Sequence, residues 1–130
     1  MNQQLITLTT DFGDQFATSQ LKAVIYSLGF TGQLVENHDI EPFSVLEGAY
    51  GIWQLAKYCP TGTIHVGIVD PGVGSDRAGI IIKTKKFWFV GPDNGLLWQA
   101  ISSDMVTIWR IKESYFGQVS NTFHGRDVFV

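Results

Sequence analysis

An α/β fold with a largely parallel central sheet flanked by helices is what this sequence predicts, and three observations carry the prediction. Leu5 to Thr10 is a short β-rich run that stops at Asp11, followed by Ala17, Leu21, Val24, Ile25 and Leu28 at helical spacing. Val45, Ala49, Ile52, Trp53 and Ala56 repeat that helical stripe further on. Thr63 to Val69 is then a second strongly β-prone run, again ending at an aspartate, Asp70. Strands alternating with helices in this order build a parallel sheet.

Each element carries its own punctuation. Gly29 follows the first helical stripe, where a left-handed C-terminal residue is expected. Gln33 to Glu36 reads as a short strand. Ser44-Val45-Leu46-Glu47 has the form of a capping box, and Pro60 lies just beyond the second helix. Gly79 to Lys83 and Phe87 to Val90 read as two further strands with Lys85-Lys86 in the turn between them. Met105 to Ile111 and Val119 to Phe123 complete the strand assignments. No repeat, low-complexity stretch or linker interrupts the 130 residues, a length suited to one domain with its own core.

Composition narrows the function classes. Hydrophobic residues make up 45% and charged residues 16%, a globular balance. With a net charge of −3 and no basic stripe, a nucleic-acid partner is not expected. No apolar run approaches the ~20 residues of a membrane helix, and Met1 to Gln4 lacks the features of a signal peptide, so a cytoplasmic location is the expectation. The single cysteine, Cys59, reads as a packed structural residue. His38, His65 and His124 are too scattered to suggest a metal site, and His65, mid-strand, reads as a packed or exposed strand residue.

Four segments could carry chemistry. Ligands of open α/β sheets bind beyond the carboxyl ends of the strands, which is where Asp11 and Asp70 stand. Asp11, in Thr10-Asp11-Phe12-Gly13, could accept hydrogen bonds from a ribose diol, or could close an Asx turn or cap the next helix. No kinase elements precede this Asp-Phe-Gly. Asp70-Pro71-Gly72-Val73-Gly74 forms a tight loop in which a ligand could approach the backbone. Arg77 could fold back to pair with Asp70, and no Gly-Lys-Ser/Thr follows to make a phosphate loop. In Gly91-Pro92-Asp93-Asn94-Gly95, Asp93 and Asn94 could face a ligand or simply make a turn. In Phe123-His124-Gly125, His124 could be held with its ring toward a pocket.

These segments, with His38 to Pro42 and Pro60 to Val66, fall in the order in which they occur in the SAM (S-adenosyl-L-methionine) hydroxide adenosyltransferase family, which the chain resembles over essentially its whole length. That family is related to SAM-dependent fluorinases and chlorinases. The resemblance implies hydrolysis of SAM to adenosine and L-methionine, with water attacking C5′ of the ribose. It implies Asp70, Arg77 and His124 around that water, Asp11 on the ribose hydroxyls and Asn94 close to the substrate. It implies no metal and no separate cofactor. An ionised Asp70 would repel a halide, so keeping Asp70, Arg77 and His124 together favours water over the halogenase reaction.

The family resemblance also implies a homotrimer and a second, β-rich domain. Residues 1 to 130 would then be an N-terminal domain, truncated after an apolar Val128-Phe129-Val130 and without the C-terminal domain. A noncatalytic remnant that binds nucleoside weakly or only oligomerises is the alternative expectation.

Overall fold

The computed structural model describes residues 4–13, 16–73, 77–101 and 105–112. The expected strand at Val119 to Phe123 lies outside them. The elements run in the order β1 (Leu5–Thr10), α1 (Phe16–Ser27), β2 (Gln33–Asn37), α2 (Val45–Ala56), β3 (Ile64–Ile68), β4 (Gly79–Thr84), β5 (Trp88–Pro92), α3 (Trp98–Ile101) and β6 (Met105–Arg110).

The strands form one sheet in the order β2-β1-β3-β5-β4-β6. β2, β1, β3 and β5 pair in parallel, with Leu8 beside Glu36 and Val66, and Val66 beside Val90. β4 runs antiparallel to both β5 and β6. The sheet is therefore largely parallel, as expected, with a mixed far edge. β5 enters between β3 and β4, so a strand that follows β4 in sequence becomes the neighbour of β3. Parallel pairing sets the carboxyl ends of β2, β1 and β3 at one edge, and this insertion adds the end of β5 to them.

Buried side chains divide into two cores, one on each face. Leu8, Val66 and Ile68 pack with Leu21 and Ile25 of α1. Ile80, Ile82 and Phe89 pack with Ile52 of α2 and with Leu96, Leu97 and Ile101 at α3. Leu21 and Ile25 occupy the buried face of α1, whereas Leu28 is 72% exposed, because the helix ends at Ser27 and Gly29 turns the chain at φ 95°. α2 buries Ala49, Ile52 and Ala56 along the expected stripe. Its Ser44 hydroxyl accepts from the Glu47 amide at 3.2 Å, while the Glu47 carboxylate reaches back to the Glu41 amide at 2.9 Å. The capping box thus ties down the loop before the helix instead of the cap residue itself.

α3 was not anticipated. A single turn closed by Gly95 leaves too short a stripe to read as a helix, yet it seats Leu97 and Ile101 in the core. Cys59 is half-buried, and burial raises its thiol above the usual range.

His65 resolves as a packed residue. It is fully buried, its Nδ1 lies 2.7 Å from the Thr7 hydroxyl, and its ring stacks on Phe89 with Phe87 edge-on. Its Nε2 finds no partner among the described residues. Burial lowers its pKa to about 4, so the ring is neutral in the folded protein at pH 7.

Candidate active site at the carboxyl edge of the sheet

Asp70 stands two residues past β3, after the buried Ile68 and Val69. A strand end held this deep draws its carboxylate in with it, leaving the side chain 6% exposed. A buried carboxylate needs a partner, and Arg77 supplies it. The Arg77 Nε lies 3.0 Å from each oxygen of Asp70, and its Nη2 donates to Oδ2. The Arg77 side chain is itself only 8% exposed. Arg77 therefore folds back as its spacing suggests, and contact with both oxygens fixes the plane of the carboxylate. The Asp70 carbonyl accepts from the Val73 amide at 3.1 Å, which closes the Pro71-Gly72 turn.

Asp11 follows β1, next to β3 in the sheet. It is half-buried, and its Oδ2 accepts from the Phe43 amide at 2.7 Å. Phe43 holds φ 62°, a left-handed conformation that is uncommon for a bulky side chain. Its ring is 66% exposed at the same edge. Among the described residues, Asp11 braces the loop that leads into α2.

Asn94 lies beyond β5 and makes both local and long-range bonds. Its Oδ1 accepts from the Leu96 amide at 3.1 Å and its Nδ2 donates to the Val69 carbonyl at 3.0 Å. The side chain closes its own turn and ties β5 to the residue just before Asp70. The neighbouring Asp93 is exposed, and its amide donates to the Ala78 carbonyl at 2.8 Å. The turn and the site position are thus the same place.

The structure brings Asp70, Arg77 and Asn94 together through these bonds, and sheet order places Asp11 one strand away. His124 lies outside the described residues, as do Gly74 to Asp76. Among the described residues, no group of three or more His, Cys, Asp or Glu side chains is placed to hold a metal ion. No helix among them is long and apolar enough to cross a membrane.

One participant at this edge was only weakly legible. His38, just beyond β2, packs its ring against Thr10 and Glu36 with hydrogen bonds of 2.7 and 2.8 Å. The signal was the spacing of Glu36 and His38, two residues apart, which points both to the same side of an extended chain.

An open, mostly parallel α/β sheet whose carboxyl edge gathers a buried ion pair, a second carboxylate and an amide is the class of protein that fold and site define. Within that class, the chain belongs to the SAM hydroxide adenosyltransferase family, whose N-terminal domain it matches over residues 6–130. The (R)-S-adenosyl-L-methionine hydrolase of Methanocaldococcus jannaschii is 38% identical over 96% of this chain and 50% of that protein. The protein of the same name from Salinispora arenicola is 36% identical over 95% of this chain and 49% of its own length. The crystal structure of an uncharacterized conserved protein from Thermotoga maritima superposes with a TM-score of 0.89 at 32% identity, covering 96% of this chain and 50% of that one. The chain thus spans about half the length of the curated relatives it matches.

Proposed function

We propose that this chain forms the water-activating half of an enzyme that hydrolyses SAM to adenosine and L-methionine. The observation that carries the proposal is the buried Asp70–Arg77 pair at the ligand-binding edge of the sheet. Relatives bearing the name (R)-S-adenosyl-L-methionine hydrolase support the substrate.

In the proposed reaction the oxygen of water attacks C5′ of the ribose as the C5′–sulfur bond breaks. The bonding pair returns to sulfur, which leaves as the neutral thioether of methionine. The proton of the attacking water passes to the Asp70 carboxylate. Because the sulfonium is already a good leaving group, no metal or separate cofactor is required. The chemical problem is the weak nucleophile, and a carboxylate fixed in its plane can orient water and accept its proton. Arg77 balances the charge of Asp70 in a site sheltered from bulk solvent and stabilises hydroxide character as it develops. His124 takes the third place around the water by family resemblance. Asp11 holds the ribose hydroxyls with Oδ1 and the remaining capacity of Oδ2, and Asn94 sets the position of the loop carrying Asp70. A homotrimeric assembly in which further residues complete the SAM pocket belongs to the same proposal.

The test is incubation of the 130-residue chain, and of a version extended to the length of its relatives, with SAM, reading adenosine and methionine by chromatography. Release by the extended protein, lost in Asp70→Ala, is the expected result. Release by the shorter chain as well means residues 1 to 130 suffice. Release by neither overturns the proposal in favour of a noncatalytic nucleoside-binding or oligomerising domain. Formation of a halogenated adenosine in the presence of chloride or fluoride, in place of adenosine, would move the reaction to the halogenase branch.

A further inference from the structure

We infer that Glu36 and His38 are positioning residues for Asp11, acting through the hydroxyl of Thr10 on the amide of Phe12. The inference rests on the proposed role of Asp11 in holding the ribose hydroxyls.

The side chains form one continuous chain of hydrogen bonds. Lys22 Nζ lies 3.1 Å from Glu36 Oε2, and Glu36 Oε1 lies 2.8 Å from His38 Nε2. His38 Nδ1 lies 2.7 Å from the Thr10 hydroxyl, whose oxygen accepts from the Phe12 amide at 3.2 Å. Burial alone would raise the pKa of Glu36, but the bonds and charges of His38 and Lys22 outweigh it and hold the carboxyl below its usual range. Glu36 is therefore ionised at neutral pH and can only accept, so His38 Nε2 donates. In the tautomer with its proton on Nε2, the ring accepts at Nδ1 from the Thr10 hydroxyl. That leaves the lone pairs of the Thr10 oxygen for the Phe12 N–H. Each bond fixes the direction of the next.

The geometry of the chain explains why it bears on Asp11. Thr10 is fully buried and the His38 side chain is 12% exposed, so the central link is shielded from competing water. Asp11 sits between the two residues that the chain joins. The backbone adds two further ties, from the Gly13 amide to the His38 carbonyl at 2.8 Å and from the Ile40 amide to the Thr10 carbonyl at 3.3 Å. Thr10 and Gly13, on either side of Asp11, are thus anchored to the segment leaving β2, and the Asp11 carboxylate is braced on Phe43 from the other side. A carboxylate that must meet two hydroxyls at once depends on such bracing.

The experiment compares SAM with an analogue lacking the ribose 2′-hydroxyl, in the intact enzyme. Asp11→Asn should lower the preference for SAM, expressed as the ratio of kcat/KM values. His38→Leu and Thr10→Val should each lower it in the same direction by about ten-fold, the scale of one hydrogen bond to a charged group. KM for SAM should rise while kcat holds, because the interaction is made equally in ground and transition states. His38→Asn places an amide oxygen where Nδ1 stood and should restore most of the preference. Thr10→Val keeps the side-chain volume and carries the test if His38→Leu does not fold. A preference that falls in Asp11→Asn but persists in His38→Leu and Thr10→Val overturns the inference and leaves the ribose role of Asp11 standing. A preference unchanged in Asp11→Asn removes the ribose role of Asp11, and the inference with it.

Discussion

Arg77 meets Asp70 with its Nε equidistant, at 3.0 Å, from both carboxylate oxygens, and neither side chain is more than 8% exposed. At this depth the charges cannot be left unpaired. Removing one partner of a buried pair costs ~3–5 kcal/mol, whereas removing both costs far less. Arg77→Leu should therefore lower the unfolding free energy by about that amount, and Asp70→Asn/Arg77→Leu should recover part of it. Urea denaturation of the wild type, both single variants and the double variant measures the coupling. Additive losses would show that the pair is not energetically linked.

The same pair has a catalytic consequence that stability does not share. Asp70→Asn nearly preserves shape and removes the proton acceptor. It should reduce kcat for SAM hydrolysis by ~10²–10⁴ with little change in KM, the range for loss of a general base. Arg77→Lys keeps a charge but cannot contact both oxygens from one planar group, and should also slow turnover. Steady-state rates of adenosine release for the two variants check this. A kcat within a few-fold of wild type for Asp70→Asn would remove Asp70 from the chemistry.

Much of this site was legible because strand periodicity locates strand ends. Asp11 and Asp70 each terminate a β-rich run, and parallel order puts such ends on one edge. The return of Arg77 to Asp70 was legible for a similar reason, since a buried carboxylate calls for a cation within reach. Three things were not legible. The insertion of β5 between β3 and β4 is a long-range choice that no local pattern encodes, and it alone brings Asn94 to the Val69 carbonyl. α3 is too short to show a period. The Glu36–His38–Thr10 chain joins residues of two strands whose adjacency appears only once the sheet is assembled.

Close packing beside the site predicts an ordering between two glycines. A Cβ on Gly91 would lie 2.7 Å from the carbonyl oxygen of Gly67, backbone that is fixed by the sheet. A Cβ on Gly67 would meet Ile52 Cδ1 at 2.7 Å and Leu96 Cδ2 at 2.9 Å, the ends of side chains that can turn aside. Overpacking of this kind costs ~1–3 kcal/mol. Gly91→Ala should fall at or above the top of that range and Gly67→Ala below it. Thermal unfolding of both variants reads the order directly, and a reversed order would mean that β3 and β5 separate more easily than the core repacks.

His65 makes the fold sensitive to acid. Its pKa is lowered from 6.5 to about 4 by burial, between Phe87 and Phe89, with Nε2 lacking a partner among the described residues. The unfolded chain therefore binds a proton at His65 more readily than the folded one, so stability rises with pH across the interval between the two values. The contribution is complete above pH 6.5 and is lost progressively as pH falls toward about 4. The shift corresponds to about 3 kcal/mol at ~1.4 kcal/mol per pH unit. Glu36, whose pKa is also lowered in the folded state, adds a loss of the same sign at lower pH. Comparison of wild type with His65→Leu isolates the histidine, because every other titrating group is common to both. Between pH 7.5 and pH 4.5 the urea midpoint should fall further for the wild type than for His65→Leu. Parallel pH profiles would show that the buried ring is not what acid attacks.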